Sequence, residues 1–431
     1  MPHRIHSLLR FLIVAAGLVA GAVAPALADS IVAQAASVDP LALESAPVAK
    51  VESSDSVKIF VEGSLGEASR RYGMGSTSLR RGSLDILYSG RVGTGLKAVF
   101  SDRLDIIGPK PAGYDSAVNS LREAYLSWQL GGEATNFDVG RINVRTGPGY
   151  GYNPTDFFRD GSLRVLTSAD PFALRQNRMG TVMLRGQHLW ADGSLSVAFS
   201  PKLATRPSTD SWSLDLGSTN NRDRGVITLG TRLSENINTQ LLLYKESGLS
   251  PTLGVNMTAL LSNAATAHLE FTRGREPDLR SRILSLPVTL ATRNRFVGGV
   301  TYTTMGKTSI TAEYQYNGFG LDKAAWAATG ALPGAQLAFI GGALRLQELA
   351  QRDALLVYVT QKGLWLKDLD LTAYLRYNPV DNSRLAWLEL RHHWSNVDLT
   401  LQFQRNLGRR DSEFGLVPDR RVIQILGTYY F

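Results

Sequence analysis

Arginine is the side chain best shaped to hold a carboxylate or phosphate, because its planar guanidinium presents five donors in a fixed fork. The densest setting for that chemistry is the stretch 146–178, which opens Gly147-Pro148-Gly149-Tyr150-Gly151-Tyr152-Asn153-Pro154-Thr155-Asp156-Phe157-Phe158-Arg159 and continues to Arg164, Arg175 and Arg178. Arg141 and Arg145 precede it and Arg185 follows. With Tyr152 and Asp156 as polar companions, this set suits recognition of a small anion or hydroxyl-bearing solute. It does not suit nucleotide binding, since the glycine run lacks the Gly-Lys-Ser/Thr ending of a phosphate loop.

Bond-making chemistry has few parts here. The absence of cysteine removes disulfides, lipoprotein acylation and thiolate metal sites together. Of the six histidines, His3 and His6 fall in an N-terminal leader, while His268 beside Glu270 is the one inward pair with general-base potential. Packing inside a lumen accounts for it more simply than a nucleophile relay. No catalytic residue, metal or cofactor is expected. The formal charge of +8 is spread along the chain rather than clustered, so nucleic acid is not an expected partner.

The elements that must position these residues follow from the pattern of apolar side chains. A basic stretch with Arg4 and Arg10 runs into an apolar segment, 11–24, followed by Pro25-Ala26-Leu27-Ala28. That is the layout of a cleaved signal peptide spanning 1–28, too short for a membrane helix. Its removal takes away two arginines and no acid, lowering the charge from +8 to +6. Residues 29–56, rich in Ala, Ser and acids, read as a periplasmic tail or linker.

From residue 57 to 431 the dominant period is two. In Val397-Asp398-Leu399-Thr400-Leu401-Gln402-Phe403-Gln404 every odd position is apolar and every even one polar, and 309–316 and 370–377 repeat the pattern. Connection lengths separate a membrane barrel from a soluble sandwich, because barrel strands alternate short periplasmic turns with long outer loops. Short turns are expected at 90–94, 131–133, 191–193, 234–238, 262–265, 305–307, 363–369 and 395–397. Long loops are expected at 66–81, 104–120, 146–178, 201–224, 246–251, 274–293, 318–352, 378–384 and 407–420, with helical stretches at 323–328 and 344–351. The fold class is therefore all-β: a transmembrane antiparallel β-barrel of about 18 strands. Trp128, Trp190, Trp394, Tyr429 and Phe431 fall at turn-side strand ends, where an aromatic girdle belongs.

A barrel of this size encloses an aqueous channel unless plugged. The apolar content of 146–178 predicts a loop folded into the lumen. In the strand before it, Phe137 and Val139 share one parity and Ile142 and Val144 the other. A bulge near Gly140-Arg141 would restore both rows and turn Arg141 and Arg145 inward. On the strands the parity places equal numbers of cations and acids inside, Arg185, Arg376, Glu62, Asp85, Glu270 and Glu313 among them.

The Gly140-Arg141 strand, the glycine run with Asn153-Pro154-Thr155-Asp156, and Tyr314-Gln315-Tyr316-Asn317-Gly318-Phe319-Gly320 before a long loop resemble porin-like barrels of the alginate-export type. The resemblance implies passage of anionic saccharides or small acids, with Arg141, Arg145, Arg159 and Arg164 at a constriction. The expected function is a channel in the cell outer membrane for small hydrophilic solutes. Lipid and lipopolysaccharide are expected neighbours, and the terminal Phe431 suits recognition by the barrel assembly machinery. A sealed barrel that anchors or exports a surface polymer with a partner is the alternative.

Overall fold

The computed structural model describes residues 56–111, 113–130 and 134–431. The expected leader, nearly all of the expected tail and the turn at 131–133 lie outside the described residues. The strands are β1 (Ser56–Arg70), β2 (Ser76–Gly93), β3 (Leu96–Gly108), β4 (Ala117–Leu130), β5 (Thr135–Ile142), β6 (Thr181–Trp190), β7 (Gly193–Ser200), β8 (Arg224–Ser234) and β9 (Ile237–Glu246). They continue as β10 (Thr252–Ser262), β11 (Ala265–Pro277), β12 (Leu290–Thr303), β13 (Thr308–Asn317), β14 (Asp353–Gln361), β15 (Leu369–Tyr377), β16 (Arg384–His393), β17 (Val397–Leu407) and β18 (Asp419–Tyr430). Each pairs antiparallel with its sequence neighbour, and β1 closes on β18 with Phe60 opposite Tyr430, so the 18 strands form one ring.

Along the middle of the strands the ring is polar inside and apolar outside. On β17, Val397, Leu399 and Leu401 are exposed while Asp398, Thr400 and Gln402 are buried. Leucines turned outward around a polar interior are what a strand needs when its outer face meets hydrocarbon. Trp128, Trp190, Trp394, Tyr429 and Phe431 are likewise exposed at the short-turn end.

Among the described residues the turn lengths alternate broadly as the sequence implies, with two departures, one being that the β14–β15 turn (362–368) is no shorter than the β15–β16 loop (378–383). In the other, β1 and β2 run on to Arg70 and Ser76, leaving only residues 71–75 between them where a loop over 66–81 was expected. Uninterrupted register from Ser56 opposite Ser89 to Ser69 opposite Ser76 satisfies the backbone polar groups of this polar segment, so it stays a ladder.

Six helices lie in the long connections: α1 (Pro171–Asn177), α2 (Leu216–Thr219), α3 (Leu279–Leu284), α4 (Lys323–Gly330), α5 (Ala335–Arg345) and α6 (Glu413–Leu416). The Asp322 side chain caps α4 by accepting from the Ala325 amide. The helix expected at 344–351 sits instead at Ala335–Arg345, because the backbone turns left-handed at Gln347 (φ 53°) and returns Leu349 and Ala350 to buried positions. Leu279, Phe319, Leu321, Trp326, Phe339, Ala343 and Ala350 bury one another in a cap at the long-loop end.

Candidate functional site

Residues 143–180 leave β5 and cross the lumen. In an 18-strand ring β14 stands nine strands from β5, on the opposite wall, and this third long loop touches it: the Tyr358 hydroxyl donates to Asp170 Oδ1 at 3.2 Å. On β15 next door, the Tyr374 hydroxyl donates to the Ala169 carbonyl at 2.8 Å. Asp170 also caps α1, accepting from the Phe172 and Ala173 amides. On the near wall, Arg122 of β4 donates to Asn177 Oδ1 at 2.9 Å. The loop is thus fixed at both sides of the channel.

Two wall carboxylates carry the glycine run. Glu270 of β11 accepts from the Gly149 amide (2.7 Å), Asn153 Nδ2 (2.9 Å), and the Thr155 hydroxyl (2.8 Å) and amide (3.2 Å). Glu313 of β13 accepts from the Tyr150 amide (2.5 Å), the Gly151 amide (3.1 Å) and Gln315 Nε2 (2.8 Å). Glycine is required where the loop meets the wall: at Gly147 (φ 91°) a Cβ would sit 2.3 Å from the Glu270 carboxylate. His268 pairs with Glu313 at 2.8 Å, not with Glu270 as expected, because Glu270 is wholly engaged with the loop. Among the described residues no three His, Asp or Glu side chains converge to hold a metal.

Most of the arginines expected at the constriction are spent on holding this loop. Arg159 donates to the Asn153 carbonyl (2.8 Å) and pairs with Glu348 (2.6 Å), which also accepts from the Tyr152 hydroxyl (2.5 Å). Arg178 pairs with Asp156 at 2.8 Å and donates to Asn143 Oδ1 at 2.8 Å. Arg175 donates to the Thr146 carbonyl at 3.1 Å. Arg164 reaches over the rim to the Asp210 carbonyl at 2.7 Å and lies over the Tyr114 ring. Arg185 pairs with Asp138 across two strands at 2.6 Å. Arg145 is exposed and makes no hydrogen bond or ion pair among the described residues.

Arg141 does not turn inward. The β4–β5 ladder runs through Gly140 without a register shift, so Arg141 stands opposite Ala124 and Val182 on the outer face. It donates to the carbonyls of Leu121 (3.1 Å) and Leu214 (2.6 Å). The expected bulge is absent because the apolar residues after it belong inside. Ile142 packs with Phe158, Met183 and Ala198 where the loop covers the wall.

Sequence parity missed a second set of inward arginines. Arg103 of β3 contacts Asp85 (3.1 Å), Asp105 (3.0 Å) and Glu62 (3.1 Å), and Arg81 pairs with Glu62 at 2.5 Å. Arg295 of β12 pairs with Glu276 at 2.7 Å. The signal was present in the alternation Ser101, Arg103, Asp105, but Arg81 and Asp105 fell inside the loops expected at 66–81 and 104–120, with Arg103 at the edge of the second.

Between the crossing loop and the wall formed by β1–β3 and β15–β18 lies a cavity of about 620 Å³. Seven arginines and four acids border it, with Tyr150, Leu166, Ile340, Leu344 and Leu385 supplying apolar surface. Two of the acids, Asp156 and Glu348, pair with Arg178 and Arg159 of the same seven arginines, so these pairs cancel, and Arg81 pairs with Glu62 beyond the cavity lining. A third, Glu413 in the loop between β17 and β18, has its pKa pushed up to about 7 by burial and then by the charge of Asp381. Elsewhere in the loops, burial alone would raise the Asp160 pKa, but Arg282 (2.9 Å) and Arg222 (2.7 Å) outweigh it and hold it below the usual range.

No protein-family model matches the chain, and no curated protein matches it. Solved structures do. Over 88% of this chain and 97% of the other, the structure superposes on Acinetobacter baumannii OccAB1 with TM-score 0.57 and 11% identity. Pseudomonas aeruginosa OccK5 (OpdH) gives 0.53 and 9% over 88% and 98%, and Acinetobacter baumannii OccAB4 gives 0.54 and 7% over the same shares. At these identities the likeness is one of fold, and it extends over nearly the whole of each barrel.

Proposed function

We propose that this barrel is an outer-membrane channel for passive passage of small hydrophilic solutes, with a preference for anions. The observation that carries the reading is the loop fixed across the lumen beside a cavity bordered by seven arginines against four acids, an excess of two once Arg81 is set against its partner Glu62. A surplus of fixed cations at a narrow place raises the local anion concentration and lowers the barrier to anion entry. The similarity of fold to OccAB1 and OccK5 supports a transmembrane barrel of this kind. A saccharide preference has less support. Of the aromatic row Tyr358, Tyr374 and Trp387, all buried, Tyr374 borders the cavity and does so with little exposed surface for stacking. Nor does the wall chemistry favour alginate over other anions.

Single-channel recording of the folded protein in a planar bilayer, with the reversal potential under a salt gradient, tests the proposal. Open steps biased toward anions, and a smaller bias in Arg376→Gln, support it; cation bias refutes it. The second reading is a sealed barrel serving a surface polymer or assembly partner. It rests on the α4–α5 hairpin, which packs on α3 and α6 over the long-loop end. Folded, heat-modifiable protein without conductance would favour that reading.

A further inference from the structure

The outer face of the barrel carries an unneutralised arginine cluster at the long-loop end of β16–β18. Arg405 and Arg421 stand directly opposite each other in the β17–β18 ladder. Both are exposed on the face that continues into Phe403, Leu401 and Leu399 on one strand and Ile423 and Ile425 on the other. Arg384, at the start of β16, is exposed on the same face over the Tyr377 ring. Among the described residues none of the three has a carboxylate partner. Arg421 donates only to the Ser69 hydroxyl at 3.4 Å. The nearest acid on this face, Glu67 of β1, stands opposite Ile423, one diagonal step from Arg421.

Like charges directly opposite in a ladder have Cβ atoms only about 5 Å apart and destabilise the pair. Their repulsion grows as the surroundings become less polar. Such a pair at the top of a hydrocarbon-facing row is stabilised by an anion with oxygen acceptors for both forks, attached to chains that cover the leucines and isoleucines below. We infer that Arg384, Arg405 and Arg421 form a site for the phosphate of an acylated, phosphorylated glycolipid of the outer leaflet. The inference rests on the membrane placement of the barrel and not on its being a channel, so its failure would leave the conductance test untouched.

The test uses the full barrel in phosphatidylcholine nanodiscs doped with diphosphorylated lipid A, with bound lipid read by native mass spectrometry. Wild type should retain lipid A. The Arg405→Gln/Arg421→Gln variant should retain it about tenfold less or worse, the scale of losing two charge-assisted contacts. Arg273→Gln, an exposed outward arginine on distant β11, should retain it as wild type does. Retention in wild type should also fall as salt rises, a readout that does not depend on any variant folding. Equal retention by wild type and the double variant would overturn the site. So would equal loss in Arg273→Gln, undiminished retention of dephosphorylated lipid A, or displacement by inorganic phosphate at low concentration, which would indicate a site for free anions.

Discussion

Replacing Glu270 by glutamine should release the crossing loop. The carboxylate accepts four hydrogen bonds, two at each oxygen: Gly149 N and Asn153 Nδ2 at one, Thr155 N and Oγ1 at the other. Glutamine keeps one oxygen and presents an amino group to the other two donors. Each buried donor left without an acceptor costs about 1–3 kcal/mol, so two cost about 2–6 kcal/mol. The Thr155 hydroxyl can rotate to accept from the new amino group, which places the expected cost near the lower end. At about 2 kcal/mol the undocked population rises about thirtyfold. An undocked loop widens the path, so single-channel recording should show larger or more frequently interrupted open levels. Liposome swelling should admit solutes that wild type excludes. A folded Glu270→Gln barrel with unchanged conductance and unchanged exclusion would refute the claim that this carboxylate holds the constriction.

Glu413, whose pKa is raised to about 7 by burial and by Asp381, makes the β17–β18 loop pH-sensitive. Because the folded value lies above the unfolded one, its stabilisation is complete below about pH 4.5 and is lost as pH rises through about 7. Corrected for the intrinsic base-catalysed rate, the protection of amides in residues 408–418 should therefore be greater at pH 5 than at pH 8, and Glu413→Gln should remove that difference in protection. Protonation also takes an acid from the cavity, so anion bias in the reversal potential should increase over the same interval. Arg141→Ala should leave the reversal potential unchanged, since that arginine lies on the outer face; a lost bias would contradict its placement. Arg178→Met should destabilise the loop by about 3 kcal/mol, because buried Asp156 keeps only the looser Arg175 contact at 3.9 Å, seen as faster proteolysis within residues 146–178.

The barrel was legible because membrane burial imposes two regular signals, period two along each strand and alternating connection lengths between them. Both persist in a single sequence. The constriction was only partly legible. Parity says which face a side chain takes, but it assumes that an apolar residue belongs outside. Ile142 breaks that assumption, because Phe158 on the crossing loop gives it an apolar partner inside the lumen. The parity change around Gly140 was therefore a docking surface for the loop, not a bulge, and Arg141 followed the unbroken register outward. The same limit hid Arg103 and Arg81. Where a strand runs beyond the lipid its outer face turns polar, alternation fades, and a ladder looks like a loop.

What parity cannot express at all is neutralisation. Counting inward charges treats Arg159, Arg178 and Arg185 as free, yet each is committed to a carboxylate within 3 Å. The same commitment works in reverse on the acids. Glu270 and Glu313 are inward carboxylates by count, but their oxygens are covered by the loop's own amides. Pairing alone cancels equally on both sides and leaves no preference. A preference would arise where backbone amides shield wall acids while backbone carbonyls hold Arg164 without neutralising it. Arg175, at the cavity wall, instead shares Asp156 with Arg178, at 3.9 Å and 2.8 Å. An anion preference would then come from how the loop's peptide groups are distributed between the two signs of charge, and Glu270→Gln probes both the position of the loop and that shielding in one substitution.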